Sequence, residues 1–248
     1  MTDITHSEIL TGKISLAKWR LDGAARDFWT HPKLPLHFPE FLFVLYSSMR
    51  STLPLMETAV RCARSETASD PVAAMTADYF TQHIEEERHH DEWLLEDMVA
   101  IGIERSNITS RIPPATVASL VGSQYYWIQH THPVALFGYL LVLEGNPPST
   151  EQLHRIQNTH GLPAAAFRTL IEHADTDLDH FHGLKRALDQ MPLQEQHSAL
   201  ITLSAFQTIE TLSCVFEEIL ERHDDSHAVP VASGATQART APLIDVVR

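Results

Sequence analysis

The chain has little cysteine, little glycine and few positive charges. Its 248 residues include two Cys and nine Gly, and 18 Lys and Arg stand against 32 Asp and Glu, for a formal net charge of −14. Cys62 and Cys214 lack a Cys-x-x-Cys spacing, so neither a disulfide framework nor a zinc ribbon is predicted. The acidic charge argues against a nucleic-acid partner, because phosphate binding needs clustered Lys and Arg. It also disfavours an acidic carrier protein, so we expect a free small-molecule substrate.

Long apolar runs are also missing, and we expect no leader sequence. No uninterrupted apolar run reaches the roughly 18 residues that span a bilayer, and the first residues lack the basic start and apolar core of a signal peptide. We therefore expect a cytoplasmic protein without a membrane partner. The hydrophobic content of 44% is enough for one domain over residues 1–225. Residues 226–248 have no hydrophobic period and predict a flexible C-terminal tail.

Helical periods separated by Pro and Gly fill the rest of the chain, and no alternating strand pattern of useful length occurs. Asp70-Pro71 has the residues of a helix start, Gly102 those of a helix stop, and Pro54 predicts a kink. The sequence predicts an all-α bundle of seven or eight helices, over 7–29, 38–63, 70–101, 113–129, 133–144, 163–190 and 193–223, with a short helix over 149–160.

One pattern carries metal chemistry, His173-x-x-x-Asp177-x-x-His180. On a helix the three side chains fall within about 60° of one another, and imidazoles with a carboxylate suit iron, manganese or zinc. With 16 histidines in the chain, a chance pattern is the alternative.

A second candidate lies in segment 83–93, which reads His-Ile-Glu-Glu-Glu-Arg-His-His-Asp-Glu-Trp. Glu87 and His90 have the Glu-x-x-His spacing by which helical bundles bring a carboxylate and an imidazole to one metal. His90 shares a helix stripe with His83 and Glu87, whereas His89 is rotated away. The alternative is a solvated charged face, the usual fate of a Glu-rich helical run.

Glu144 is the third candidate, because eleven uncharged residues precede it in Pro133–Leu143. A carboxylate that ends an apolar run is costly to bury unless it is paired or bound to a metal. The alternative is a Glu that reaches solvent beside the helix stop Gly145. Together the three segments offer three carboxylates and three imidazoles, which suit two metal ions with positions open for dioxygen or substrate.

The sequence resembles the haem-oxygenase-like diiron oxidases and oxygenases, a family also described as iron-containing redox enzymes. The resemblance covers roughly residues 38–220. It rests on three elements in this order and separation: Glu-Glu-Glu-Arg-His-His-Asp-Glu-Trp at 85–93, Gln-Tyr-Tyr-Trp-Ile at 124–128 leading to Val-Leu-Glu-Gly at 142–145, and the motif at 173–180.

The resemblance implies a haem-oxygenase-like bundle of about seven helices and two Fe(II) ions per chain. It assigns the ligands to Glu87, His90, Glu144, His173, Asp177 and His180. The family's first carboxylate varies in spacing from its histidine, so Glu86 is an alternative to Glu87. The implied reactions are N-oxygenation, desaturation or oxidative C–C cleavage of an amino acid, an amine or a fatty acid. An external electron donor and a homodimer stay open.

Two other classes of function remain. One is a metal-free member of the same fold, either a thiaminase-like hydrolase or a cofactor-free oxidase. The resemblance gives those hydrolases a mid-chain Cys, which residues 63–213 lack. The other is a non-catalytic iron-binding bundle, for which two Glu-x-x-His helices would be expected.

Arg50 is a candidate for substrate binding, because it interrupts the apolar stretch of the helix over 38–63. A guanidinium there can hold a substrate carboxylate with two hydrogen bonds. The alternatives are exposure or a salt bridge to Glu57 or Glu40.

Overall fold

The computed structural model describes residues 4–66, 69–145 and 147–224, and in these ranges the secondary structure is helical throughout. The predicted tail over 226–248 lies outside the described residues. The α-helices of the described part are α1 (His6–Ala17), α2 (Trp19–Trp29), α3 (Leu34–Glu66), α4 (Pro71–Glu86), α5 (His90–Ala100), α6 (Arg105–Ser110), α7 (Ala115–His130), α8 (Leu136–Leu143), α9 (Thr150–His160), α10 (Arg168–Gln190) and α11 (Glu195–Asp224). Short 3-10 helices precede α8 (Pro133–Ala135) and α10 (Ala164–Phe167). The predicted all-α fold class is confirmed.

The helix count exceeds the prediction because two predicted helices are broken and because the short helix α6 was not predicted. The predicted helix over 7–29 divides at Lys18, which closes α1 and opens α2. The predicted helix over 70–101 begins as expected, with the Asp70 carboxylate accepting the backbone N–H groups of Val72 and Ala73. It then ends at Glu86, and α5 starts four residues later.

The break between α4 and α5 is a turn at residues 87–89. His89 adopts a left-handed backbone with φ 74°. This conformation costs a non-glycine residue about 1 kcal/mol or more, and it concentrates at functional sites. Neither Gly nor Pro marks the turn, so propensity alone predicts an unbroken helix here. The turn gives α5 its own direction, and α5 then packs on both α3 and α10.

The core consists of two large apolar clusters. One is built mainly from α3, α4, α8 and α11. The other holds an aromatic group made of Phe28, Phe38, Phe41, Phe167 and Phe216. The long helix α11 packs against α8, α2, α7 and α1. By length and composition its segment Glu195–Arg222 could cross a membrane, but half of the apolar window is buried inside the protein, as in a core helix.

Helices α8 and α11 approach each other closely at Gly138. A Cβ atom added there would lie 2.2 Å from the carbonyl oxygen of Ile201 and 2.8 Å from the backbone nitrogen of Ala205. Both contacts are to backbone atoms, which cannot turn aside. A side chain at residue 138 therefore has to push α8, the helix that ends at Glu144, away from α11.

We predict that Gly138→Ala destabilises the protein by about 1–3 kcal/mol, the usual range for overpacking, and that it lowers metal affinity through the displacement of Glu144. Thermal unfolding followed by circular dichroism measures the first effect. Gly122→Ala is the matched control, because Gly122 is an exposed residue of α7 with open space around its Cα. It should leave stability unchanged or raise it. Equal melting temperatures for both variants would contradict the close approach.

Candidate metal centre

Acidic and imidazole side chains from four parts of the chain meet inside the bundle. α4 and the turn after it contribute His83 and Glu87, α5 contributes His90, the end of α8 contributes Glu144, and α10 contributes His180. Each of these five side chains is at most 8% exposed. Ionisable groups are buried at this density when they are paired with one another or bind a metal.

These side chains form two groups that share Glu87. The first group consists of His83, Glu87, Glu144 and His180, and the second of Glu87, His90 and His173. Within each group one donor atom of every residue lies within 4.8 Å of the others. A carboxylate has two oxygen atoms, and Glu87 uses both: Oε1 lies 3.3 Å from His180 Nδ1, and Oε2 lies 3.2 Å from His90 Nδ1.

His173 has the protonation geometry of a metal ligand. Its Nδ1–H donates to the carbonyl oxygen of Thr169 at 2.9 Å. In a neutral imidazole the other nitrogen, Nε2, then carries a lone pair, and this atom is buried without a hydrogen-bond partner in the described part of the chain. A ligating histidine is normally oriented by such a hydrogen bond to a backbone carbonyl. Burial also lowers the pKa of His173, which favours the neutral, ligating form.

The pKa values of the two buried glutamates shift in opposite directions. Burial raises the pKa of Glu144 even though its Oε1 atom lies 3.3 Å from His83 Nε2, and its Oε2 atom has no hydrogen-bond partner among the described residues. Burial alone would raise the pKa of Glu87 as well, but its contacts with His180 and His90 outweigh this and lower it. A bound cation would stabilise both carboxylates, so the donor set fits a metal.

Asp177 lies beside the two groups but belongs to neither. Burial, followed by repulsion from Glu144 and Glu87, raises the pKa of its carboxyl group to about 8. Without a cation Asp177 therefore holds a proton near neutral pH. Of the two carboxylates that the sequence left open, Glu87 is buried within both groups, whereas Glu86 is 42% exposed at its side chain and lies in neither.

His83 is a buried donor to which the sequence assigned no role. It is 2% exposed and lies one helical turn before Glu87. The signal was available, because His83 shares a stripe with His90 and Glu87. It was obscured by the exposed glutamates of the same segment, which are typical of a solvated face.

A cavity of about 1050 Å³ reaches the centre and is lined there by Glu87, Glu144, His173 and Asp177. Its other walls are largely apolar and come from α1, α2, α3, α8, α9, α10 and α11. The basic side chains along it include Lys18, which is paired with Asp22 at 2.5 Å, and Arg26, for which the described residues provide no ion pair.

Arg50 lies outside this large cavity. Its guanidinium is 5.5 Å from the ring of Tyr46, and the residue lines a smaller cavity of about 260 Å³ that also touches Glu57 and Glu87. Glu40, one of the partners considered from the sequence, is instead paired with Arg111 and Arg222.

A separate group of Asp70, His132 and His197 also brings possible donors together, but its hydrogen bonds oppose metal binding. His132 Nδ1 accepts the N–H of Val134, and His197 Nδ1 accepts the N–H of Gln194. Each neutral ring therefore carries its proton on Nε2, the nitrogen that a metal would need. His132 donates that proton to Asp70 at 3.1 Å. This group joins the start of α4 to the start of α11.

The raised pKa of Asp177 predicts how pH affects the metal-free protein. Between about pH 4 and pH 8 the folded state keeps a proton that the unfolded chain releases, so wild-type stability falls with rising pH in this window. Asp177→Asn removes this loss. We expect the melting temperature of the variant to exceed that of the wild type, and the difference to be larger at about pH 8 than at about pH 5. With metal added, we expect the wild type to have the higher melting temperature.

Asp179→Asn is the control for this measurement, because Asp179 is an exposed residue of the same helix. It should follow the wild type at both pH values. A margin for Asp177→Asn that does not grow with pH would contradict the crowding of Asp177 against Glu144 and Glu87.

Comparison with known proteins identifies the fold and the family. Two solved structures share the fold. One is a domain of unknown function with a haem oxygenase-like fold from Shewanella denitrificans, which matches with a TM-score of 0.72 and 14% identity over 90% of this chain and 93% of that chain. The other is a TenA homologue from Pseudomonas syringae pv. tomato, which matches with a TM-score of 0.68 and 13% identity over 86% of this chain and 92% of that chain. No curated protein matches the sequence. The model of the family described as iron-containing redox enzyme matches residues 49–212, about two thirds of the chain. The chain belongs to this family of iron-containing redox enzymes.

Proposed function

We propose that the protein is a non-haem diiron enzyme that uses dioxygen to oxidise a small carboxylate-bearing molecule. The observation that carries the proposal is that Glu87 belongs to two buried donor groups. Glu87 would therefore contribute to both of two neighbouring metal positions, as a two-metal site requires of a shared residue. Two bound Fe(II) ions would supply dioxygen activation and oxidation of a nearby substrate.

The residues of the chain prepare this site before any metal binds. The Thr169 carbonyl holds the His173 ring with Nε2 directed away from its own helix backbone. The contacts of Glu87 with His90 and His180 keep Glu87 ionised. Such preorganisation reduces the reorganisation needed when a metal binds. The other walls of the cavity are largely apolar, which favours an organic substrate beside the centre.

The larger cavity is the better substrate chamber, because it touches four of the six expected ligands and has extensive apolar walls. A substrate acid in this cavity can reach Arg26, whereas the clamp proposed from the sequence, Arg50, serves only the smaller cavity. The smaller cavity is also surrounded by the carboxylates of Glu57, Glu87 and Asp91, which oppose an anionic ligand.

A metal-free hydrolase with a thiol nucleophile is less consistent with the structure. Cys62 packs against an apolar cluster, and Cys214 receives a weak hydrogen bond from Arg20 at 3.7 Å. Neither thiol lines the two cavities described above. Although the fold resembles that of a TenA homologue, neither thiol is placed to act as a nucleophile in these cavities.

The proposal predicts that the Fe(II)-loaded protein consumes dioxygen when a suitable substrate from a panel of amino acids, amines and fatty acids is added. An oxygen electrode measures the rate. Replacement of an expected ligand by Ala should abolish dioxygen consumption and leave the far-ultraviolet circular dichroism unchanged. The ligands to be replaced one at a time are His90, Glu144, His173, Asp177 and His180. His130→Ala and His160→Ala are controls outside the donor groups and should retain the wild-type rate. Retained activity in His173→Ala would contradict the proposal.

The position of the substrate acid is tested by comparing Arg26→Ala with Arg50→Ala. A hydrogen bond to a charged group contributes about 1.5–3 kcal/mol, so loss of the correct arginine should raise KM by about tenfold or more and also lower turnover. We expect this effect in Arg26→Ala. The same effect in Arg50→Ala alone would instead place the acid in the smaller cavity and support the assignment made from the sequence.

A further inference from the structure

We propose that His83 is a metal ligand, a fourth imidazole that binds the ion held by Glu144 and His180. The inference rests on the metal centre of the proposed function and adds a donor outside the six residues that the family resemblance assigns. The centre would then have four imidazoles and three carboxylates. The ion next to His83 would be held by more protein donors than its neighbour.

The geometry places a ring nitrogen of His83 among ligands. His83 Nε2 lies 3.3 Å from Glu144 Oε1, and the centroids of the His83 and His180 rings are 4.5 Å apart. His83 and Glu87 are separated by four residues at the end of α4, so both side chains point to the same side of the helix. The donor atoms of these four residues lie within 4.8 Å of one another.

The second nitrogen of His83 also lies next to a carboxylate. His83 Nδ1 lies 3.3 Å from Glu86 Oε2. Metal-bound histidines commonly donate their remaining N–H to a carboxylate, which orients the ring and increases its basicity. Glu86 is itself held by the side-chain amide of Gln82 at 3.2 Å. In this arrangement Glu86 orients His83 and does not replace Glu87 as a ligand.

A direct proton-transfer role for His83 fits the structure less well. His83 does not line the large cavity, whereas Glu87, Glu144, His173 and Asp177 do. Tyr79 covers the ring of His83 in a stacked arrangement, with centroids 5.5 Å apart. A substrate in the cavity therefore meets other side chains before it can reach His83.

The additional ligand makes the two metal positions unequal. One position has His83, Glu87, Glu144 and His180 around it, and the other has Glu87, His90 and His173. Because ions of this type accept up to six ligands, the second position keeps more sites open. Of the four histidines, His173 lines the cavity, so the open side of the centre is the side from which substrate arrives.

The test uses Co(II), a stable paramagnetic substitute for Fe(II), with the full-length chain and without substrate. Titration gives the number of bound ions and their affinities. In the proton NMR spectrum a ligated imidazole with a protonated second nitrogen gives a strongly shifted, exchangeable N–H resonance. We expect His83→Ala to weaken one of the two ions by at least tenfold and to remove one such resonance. His182→Ala is the control, an exposed residue of α10 close to His180, and should preserve both ions and all resonances.

His83→Gln is a second variant, whose side chain fills the space of the imidazole and can still donate a hydrogen bond to Glu144. It should fold like the wild type and lose the same resonance. The inference would be overturned if both variants bound Co(II) with wild-type affinity and kept all the shifted N–H resonances. It would also be overturned if Co(II) binding weakened while the number of these resonances stayed the same, because that result indicates that His83 only positions another ligand. A wild-type chain that binds no Co(II) or Fe(II) would overturn the proposed function as well. Two tightly bound ions in the wild type and in both His83 variants would overturn the His83 ligand alone.

Discussion

The structure depends on the burial of many ionisable side chains at one point between α4, α5, α8 and α10. Without a cation the site relieves part of the resulting repulsion by protonation, because burial raises the pKa of Glu144 and, together with neighbouring carboxylates, that of Asp177. The imidazoles share the same space with their lone pairs only partly satisfied. A divalent cation would satisfy both kinds of group at once, so the buried donor groups are able to bind metal.

A break between α4 and α5 directs Glu87 and His90 to different neighbours. Glu87 and His90 have helical spacing in the sequence, but the chain between them turns at His89 with a positive φ. Glu87 thereby remains at the end of α4 next to His180, while His90 opens α5 and faces His173. The strained residue lies between two expected ligands, which is where local strain is usually retained for function. The close contact of α8 with α11 at Gly138 positions a second carboxylate, Glu144.

Local signals in the sequence predicted much of this arrangement. Asp70 and Pro71 start α4 because an Asp side chain satisfies free N–H groups and Pro lacks one, and Gly102 follows α5 with φ 90°. The periodic motif at 173–180 identified a helix face directly. The turn at His89 has no local signal, since tertiary packing overrides the helix propensity of its segment. His83 was hidden by exposed glutamates, and the cavity that Arg50 faces depends on how α3 packs on its neighbours, which the spacing of residues within one helix does not specify.

The most direct test of the account is anaerobic titration of the metal-free protein with ⁵⁷Fe(II), followed by Mössbauer spectroscopy of the loaded chain. Two donor groups that share Glu87 predict saturation near two irons per chain. Because one group has more protein donors than the other, the spectrum should contain two distinct iron environments of equal area. Saturation at one iron, or no binding, would contradict the central claim that Glu87 joins two metal positions.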